Sequence, residues 1–159
     1  MSFRVGFGYD VHRLQQGENL ILGGISIPSH VSAIGHSDAD ALIHSLCDAM
    51  LGAAGLRDIG YHFPDTDHKY KNIDSKILLK HVMDLIRKNG FELGNADCTI
   101  CLEKPKINPH VNSMIQTLAV VMNVSETCLS IKATTNEKIG FVGREEGIAV
   151  YCVVLLMHK

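Results

Sequence analysis

Asp10 and His12 stand two residues apart in a stretch, Phe3 to Val11, where apolar residues alternate with small or polar ones. On a strand this spacing projects both side chains from one face, with donor atoms near enough to share a cation. His44 recurs in step with His36, Asp40 and Asp48 at four-residue intervals, so a helix here would align the four in one polar stripe. Two imidazoles and a carboxylate make the borderline ligand set that suits zinc, with a fourth position left for water or substrate. Asp40 or Asp48 would accept the free ring N–H of His44 and fix its tautomer. Cys98 and Cys101 form a single CxxC whose sulfurs fall on opposite strand faces, so they read as core rather than as ligands.

A second group of residues suits phosphate. Lys132 to Lys138, with Ala133, Thr134, Thr135, Asn136 and Glu137 between, leaves a strand and offers backbone N–H groups, hydroxyls and ammonium groups within seven residues. An acid beside an anionic substrate is repulsive unless a divalent cation lies between them, so Glu137 reads as a ligand of a second ion, magnesium or manganese. Gly140 to Arg144 follows at once, where Arg144 would fork onto a phosphate and the glycines allow close backbone approach. Glu103, Lys104, Pro105 and Lys106 end a strand, and Phe63 to Asp67 lies in a polar loop able to bind hydroxyls through Asp65. Taken singly, each of these segments is equally an ordinary solvated turn.

The elements that must position these groups follow from periodicity. Phe3 to Val11 is a strand whose Phe3, Val5, Phe7, Tyr9 and Val11 form a buried face, with Asp10 and His12 on the other. Asn19 to Ile27 suggests a hairpin broken at Gly23 and Gly24, and Ser29 to Gly35 a loop. Ser37 with Asp40 resembles a capping box, and apolar residues then recur at helical spacing up to Gly52 and Gly55. Leu56 to Asp74 reads as a long functional loop, Ser75 to Asn89 as a helix closed by Gly90, Phe91 to Leu102 as a strand and Pro109 to Met122 as a helix. Leu129 to Ala133 and Gly147 to Leu156 are two further strands. The alternation favours an α/β (α+β) sandwich, one mixed sheet covered by helices, in a single domain.

Bulk composition narrows the function classes. With 159 residues, 46% of them hydrophobic, the chain can bury one core. A net charge of −2 without a Lys/Arg run argues against nucleic acid as partner. No stretch approaches the roughly 20 apolar residues that a membrane helix needs. Five cysteines, an odd count set mostly in apolar runs, fit a reduced cytoplasmic compartment. No Ser or Cys nucleophile stands out.

Six ordered segments, Gly8 to His12, His36 to His44, Asp58 to Gly60, Phe63 to Asp67, Lys132 to Lys138 and Gly140 to Arg144, resemble the 2-C-methyl-D-erythritol 2,4-cyclodiphosphate synthase family over nearly the whole chain. The resemblance implies a homotrimer with active sites between subunits. It implies conversion of 4-diphosphocytidyl-2-C-methyl-D-erythritol 2-phosphate to the cyclic diphosphate, with release of CMP. Carried over by matching motif, Asp10, His12 and His44 would hold zinc, and Glu137 a second divalent ion. His36 and Thr135 would stabilise the transition state, and Ser37 would contact substrate. Asp58, Ile59, Gly60, Phe63, Pro64, Asp65, Thr66 and Asp67 would hold the methylerythritol part. Leu102, Glu103, Lys104, Pro105, Lys106, Ile107 and Asn108, with Ala133 and Thr134, would receive the cytidine nucleotide from the adjoining subunit. Phe141 and Arg144 would complete the site. Glu145 departs from the pattern, standing where glycine is often found. A zinc-dependent phosphohydrolase and a trimeric binding module stapled by its metal remain the alternatives.

Overall fold

Glycines at 6 and 8 decide how the layers stack. In the computed structural model, which describes residues 2–159, strand β1 (Phe3–Gln16) lies against helix α1 (Ala41–Ala54). A Cβ on Gly6 would overlap the Ala49 carbonyl oxygen, and one on Gly8 the Ser45 carbonyl oxygen, so the helix rests on bare backbone. Ten of the fourteen residues of α1 are buried by this contact and its neighbours.

The remaining elements are β2 (Asn19–Leu22), β3 (Ile25–Pro28), β4 (Val31–Ile34), the single turn α2 (Ile59–His62), α3 (Ser75–Lys88), β5 (Phe91–Cys101), α4 (Val111–Met122), β6 (Leu129–Thr134), the single turn α5 (Gly140–Gly143) and β7 (Gly147–His158). Five strands form one sheet in the order β4-β1-β7-β5-β6, antiparallel throughout except for the parallel pair β5 and β6, while β2 and β3 pair separately. The mixed sheet and its helical cover agree with the sandwich expected from the sequence. α1 packs on β1 and β7, α3 on β5, and α4 on β6.

The period-2 reading of β1 holds, but its sidedness reverses. Phe3, Val5 and Phe7 are more than 60% exposed, and Tyr9 and Val11 are also open, because the helices cover the glycine face instead. Tyr151 and Val153 of β7 lie beside them in register, with the Tyr9 and Tyr151 rings 5.1 Å apart. One side of the sheet is therefore a bare apolar surface. The Ser29 to Gly35 segment also differs from the expected loop, since Val31–Ile34 pairs with Arg13–Gln16 as the edge strand β4.

Helix α1 starts at Ala41 rather than Ser37. Asp40 is its N-cap, accepting from the Ile43 N–H at 3.0 Å, and the same carboxylate takes the N–H groups of Gly23 (2.9 Å) and Gly24 (2.7 Å). This fully buried carboxylate thus pins the β2–β3 turn to the helix start. Burial pushes its pKa up despite those three hydrogen bonds. The supposed irregular stretch Leu56 to Asp74 contains α2, capped by Asp58, and a 3₁₀ turn at His68–Tyr70 capped by Asp67.

Candidate metal and phosphate site

Asp10 and His12 emerge from β1 on its helix side, and His44 descends from the first turns of α1. Asp10 Oδ2 lies 2.9 Å from His12 Nε2 and 3.2 Å from His44 Nδ1, and the two imidazole nitrogens are 3.2 Å apart. A tetrahedral zinc with ligand bonds of about 2.0–2.1 Å has donor-to-donor edges of about 3.3 Å, so this triangle needs to open by only a few tenths of an ångström. No other cluster of three such ligands occurs among the described residues.

The orientation of each ring favours a cation. His12 Nδ1 lies 2.9 Å from the carbonyl oxygen of Ile34, so it donates there and leaves its Nε2 lone pair facing Asp10 and His44. β4, the strand that the sequence did not reveal, supplies that carbonyl. Without an ion, the three groups hold one another through protons. Burial pulls the His12 pKa down, but the hydrogen bond and charge of Asp10 outweigh it and leave it above 6.5. Burial likewise pushes Asp10 up, and its bonds to His12 and His44 bring it below 3.8.

The expected partners of His44 are corrected. Asp40 is occupied by backbone N–H groups, and Asp48 accepts from the Ile59 N–H at 2.7 Å, so neither orients the ring. His36 precedes the helix and is out of the four-residue phase. His44 Nε2 instead meets Ser75 Oγ at 2.9 Å and Ser37 Oγ at 3.0 Å. Ser75, with Asp38 behind it, went unnoticed in the sequence. Its only local signal is its place as the first residue of a helix, which says nothing about a histidine 31 positions away.

Above the triad opens a cavity of about 290 Å³. His36, Ser37, Ile59, Gly60, Phe63 and Asp65 line it together with His12 and His44, and Tyr70, Ile73 and Leu78 complete it. Asp58, Pro64, Thr66 and Asp67 do not line it; Asp58 and Asp67 serve as turn caps. Phe63 is held edge-on against Tyr70, ring centroids 5.4 Å apart.

A second cavity, about 240 Å³, lies at the far edge of the sheet. Its walls are Leu102, Glu103, Pro105, Lys106, Ile107, Asn108, Ala133, Thr134 and Thr135, which matches the expected nucleotide segment except for Lys104. Lys104 turns away to pair with Glu145 at 3.3 Å. Glu103 accepts the N–H groups of Asn136 (2.8 Å) and Lys138 (3.4 Å), tying the two halves of this cavity together. Thr135 Oγ1 donates to Glu137 at 3.2 Å. Glu137 and Lys138 both have positive φ, which swings the turn into α5.

Glu137, Phe141 and Arg144 line neither cavity. Arg144, expected to fork onto phosphate, forks onto Glu146 at 2.8 and 3.2 Å. Glu145 has φ +59°, a conformation that favours the glycine often found at this position, so Glu stands here at a cost in backbone strain. The two cavities open at the same end of the sheet, since Arg13, Gly147, Cys101 and Thr134 are all close to that edge. The strands nearest them, β1 and β6, are three strand spacings apart, about 14 Å.

The YgbB family model matches residues 3–157. A 2-C-methyl-D-erythritol 2,4-cyclodiphosphate synthase of Parabacteroides distasonis is 62% identical over 158 residues, 99% of this chain and 98% of that protein. Among solved structures, the bifunctional IspDF of Campylobacter jejuni superimposes with a TM-score of 0.95 at 43% identity, covering 99% of this chain and 43% of the longer one. The CDP complex of Plasmodium falciparum IspF superimposes with a TM-score of 0.88 at 34% identity, covering 99% and 97%. These relatives lend no support to the phosphohydrolase or binding-module readings.

Proposed function

The chain belongs to the YgbB family, and from that premise we infer that its two cavities are the halves of a cyclodiphosphate synthase site, one for metal and methylerythritol, the other for cytidine nucleotide. The activity is that of its relatives, a lyase step of isoprenoid biosynthesis. 4-Diphosphocytidyl-2-C-methyl-D-erythritol 2-phosphate closes to the 2,4-cyclodiphosphate. A 2-phosphate oxygen attacks the β-phosphorus, the bond from that phosphorus to the bridging oxygen breaks, and CMP leaves with that oxygen. The observation that carries the site assignment is the donor triangle of Asp10, His12 and His44, whose two histidines line the first cavity.

These three residues would hold a divalent ion, zinc by ligand type, which would supply polarisation of phosphoryl oxygens and absorb developing charge. His36 and Ser37 line the same cavity and orient the 2-phosphate, while Ile59, Gly60, Phe63 and Asp65 enclose the methylerythritol and exclude water. Across the second cavity, Lys106, Asn108 and the backbone around Ala133 and Thr134 seat the cytidine monophosphate moiety, and Thr135 supports the attacked phosphorus. Glu137 would hold a second ion, magnesium or manganese, which would neutralise charge on the diphosphate.

The halves are brought together by assembly. The exposed apolar row Phe3, Val5, Phe7, Tyr9, Val11, Tyr151 and Val153 is a surface that a monomer leaves costly, and burying it between copies as a homotrimer sets one chain's triad beside its neighbour's nucleotide cavity. Phosphorus NMR of turnover tests the reading. Zinc-loaded protein yields the cyclic diphosphate and CMP, and His44→Ala yields neither; linear phosphate products would overturn it.

A further inference from the structure

A metal ligand that offers Nδ1 must dispose of the proton on Nε2, and for His44 the surroundings specify where it goes. Ser75 Oγ is 2.9 Å from Nε2, and its own proton is committed elsewhere: Ser75 Oγ donates to Asp38 Oδ1, a short hydrogen bond. Asp38 Oδ2 accepts the Ser75 backbone N–H at 2.9 Å, and Oδ1 also takes the Asp40 N–H at 3.3 Å. A carboxylate only accepts, so the hydroxyl proton must point at Asp38 and a lone pair must face His44. Ser75 is fully buried, which removes water as a substitute acceptor.

Ser37 Oγ, at 3.0 Å from Nε2, is the rival acceptor. It lines the cavity, whereas Ser75 does not. A substrate that engages the Ser37 hydroxyl leaves Ser75 as the constant partner.

We propose that Asp38 and Ser75 form a relay that fixes the Nε2–H tautomer of His44 and so presents Nδ1 to the metal, making both of them positioning residues for the cation site. This rests on the reading of Asp10, His12 and His44 as that site. The relay also ties the ion to the substrate loop. Ser75 is the first residue of α3, directly after that loop, and the loop's end is fastened to the same segment by Asp38 N–H to Ile73 O (3.2 Å) and Asn72 N–H to His36 O (2.9 Å).

The test measures zinc affinity by chelator competition, and the His44 Nε2–H resonance by ¹⁵N-edited NMR of the zinc-loaded protein. Ser75→Ala and Asp38→Asn each weaken zinc binding by about ten- to a hundredfold, and in both the Nε2–H resonance shifts and exchanges faster with solvent. Adding Ser37→Ala to Ser75→Ala weakens binding further than either alone. Unchanged affinity in Ser75→Ala, or reduced affinity with an unchanged Nε2–H resonance, overturns the relay. His44→Ala separates the two levels. If it binds zinc as tightly as the parent, the cation site itself is wrong; if it loses zinc while Ser75→Ala does not, only the relay fails.

Discussion

Replacing Gly8 by Ala tests whether the close approach of α1 to β1 sets the metal geometry. The new Cβ would overlap the Ser45 carbonyl oxygen and lie 2.8 Å from the Ala49 nitrogen, both rigid helix backbone. The Ser45 oxygen would lie 1.9 Å from the new Cβ and ordinary carbon contacts begin near 3.5 Å, so α1 must withdraw by about 1.6 Å. His44 rides on the turn that is displaced, while Asp10 sits two residues from the substitution on the strand that stays. Donor edges of 2.9–3.2 Å would stretch well beyond the roughly 0.2 Å tolerance of a zinc site. Overpacking of this kind costs about 1–3 kcal/mol of stability. Zinc affinity should fall at least about tenfold, equivalent to about 1.4 kcal/mol. Urea unfolding of the metal-free protein and chelator competition read the two effects separately. A variant that loses stability but keeps its zinc affinity would refute the link between helix seating and site.

Other consequences are equally open to measurement. Asp40→Ala orphans the N–H groups of Ile43, Gly23 and Gly24 and should cost at least about 3 kcal/mol, whereas Asp40→Asn, which keeps an acceptor oxygen, should cost less; equal losses in denaturant would contradict the shared-cap role. Burial raises the Asp48 pKa above 3.8, so ionising it weighs against the folded state: the penalty sets in as pH rises past 3.8 and is complete above the raised value. Metal-free Asp48→Asn should therefore be the more stable protein at pH 7, with the advantage shrinking as the pH falls toward 3.8. Phe7→Glu, on the bare sheet face, should shift the sedimenting mass from trimer to monomer while each chain keeps its zinc; a trimer that persists would move the interface elsewhere.

The sequence made the triad legible because strand and helix periodicities act locally: two residues on β1 and one on α1 are enough to suggest a shared cation. The same periodicity marked the face holding Phe3, Val5 and Phe7 as apolar, but not which side the helices cover. Gly6 and Gly8 settled that by letting α1 approach the backbone. β4 was hidden because Val31 to Ile34 is short and follows Pro28 and Ser29, and its pairing with β1 is decided across the fold. The partners of His44 were misassigned for a related reason. Helical spacing offered Asp40 and Asp48, whereas long-range packing delivered Ser75 and spent both carboxylates on backbone N–H groups. Arg144 looked free for phosphate until its neighbour Glu146 was seen to occupy it.

If one chain's metal half-site works with its neighbour's nucleotide half-site, mixing two defective subunits must restore activity. His44→Ala removes the first half and Thr135→Ala damages the second, so each protein alone should be nearly inactive. Co-expressed in equal amounts, they form trimers in which about one interface in four joins an intact metal half to an intact nucleotide half. The prediction is recovery of about a quarter of the parental cyclisation rate. No recovery in verified mixed trimers would place both halves of the site within a single chain and contradict the account.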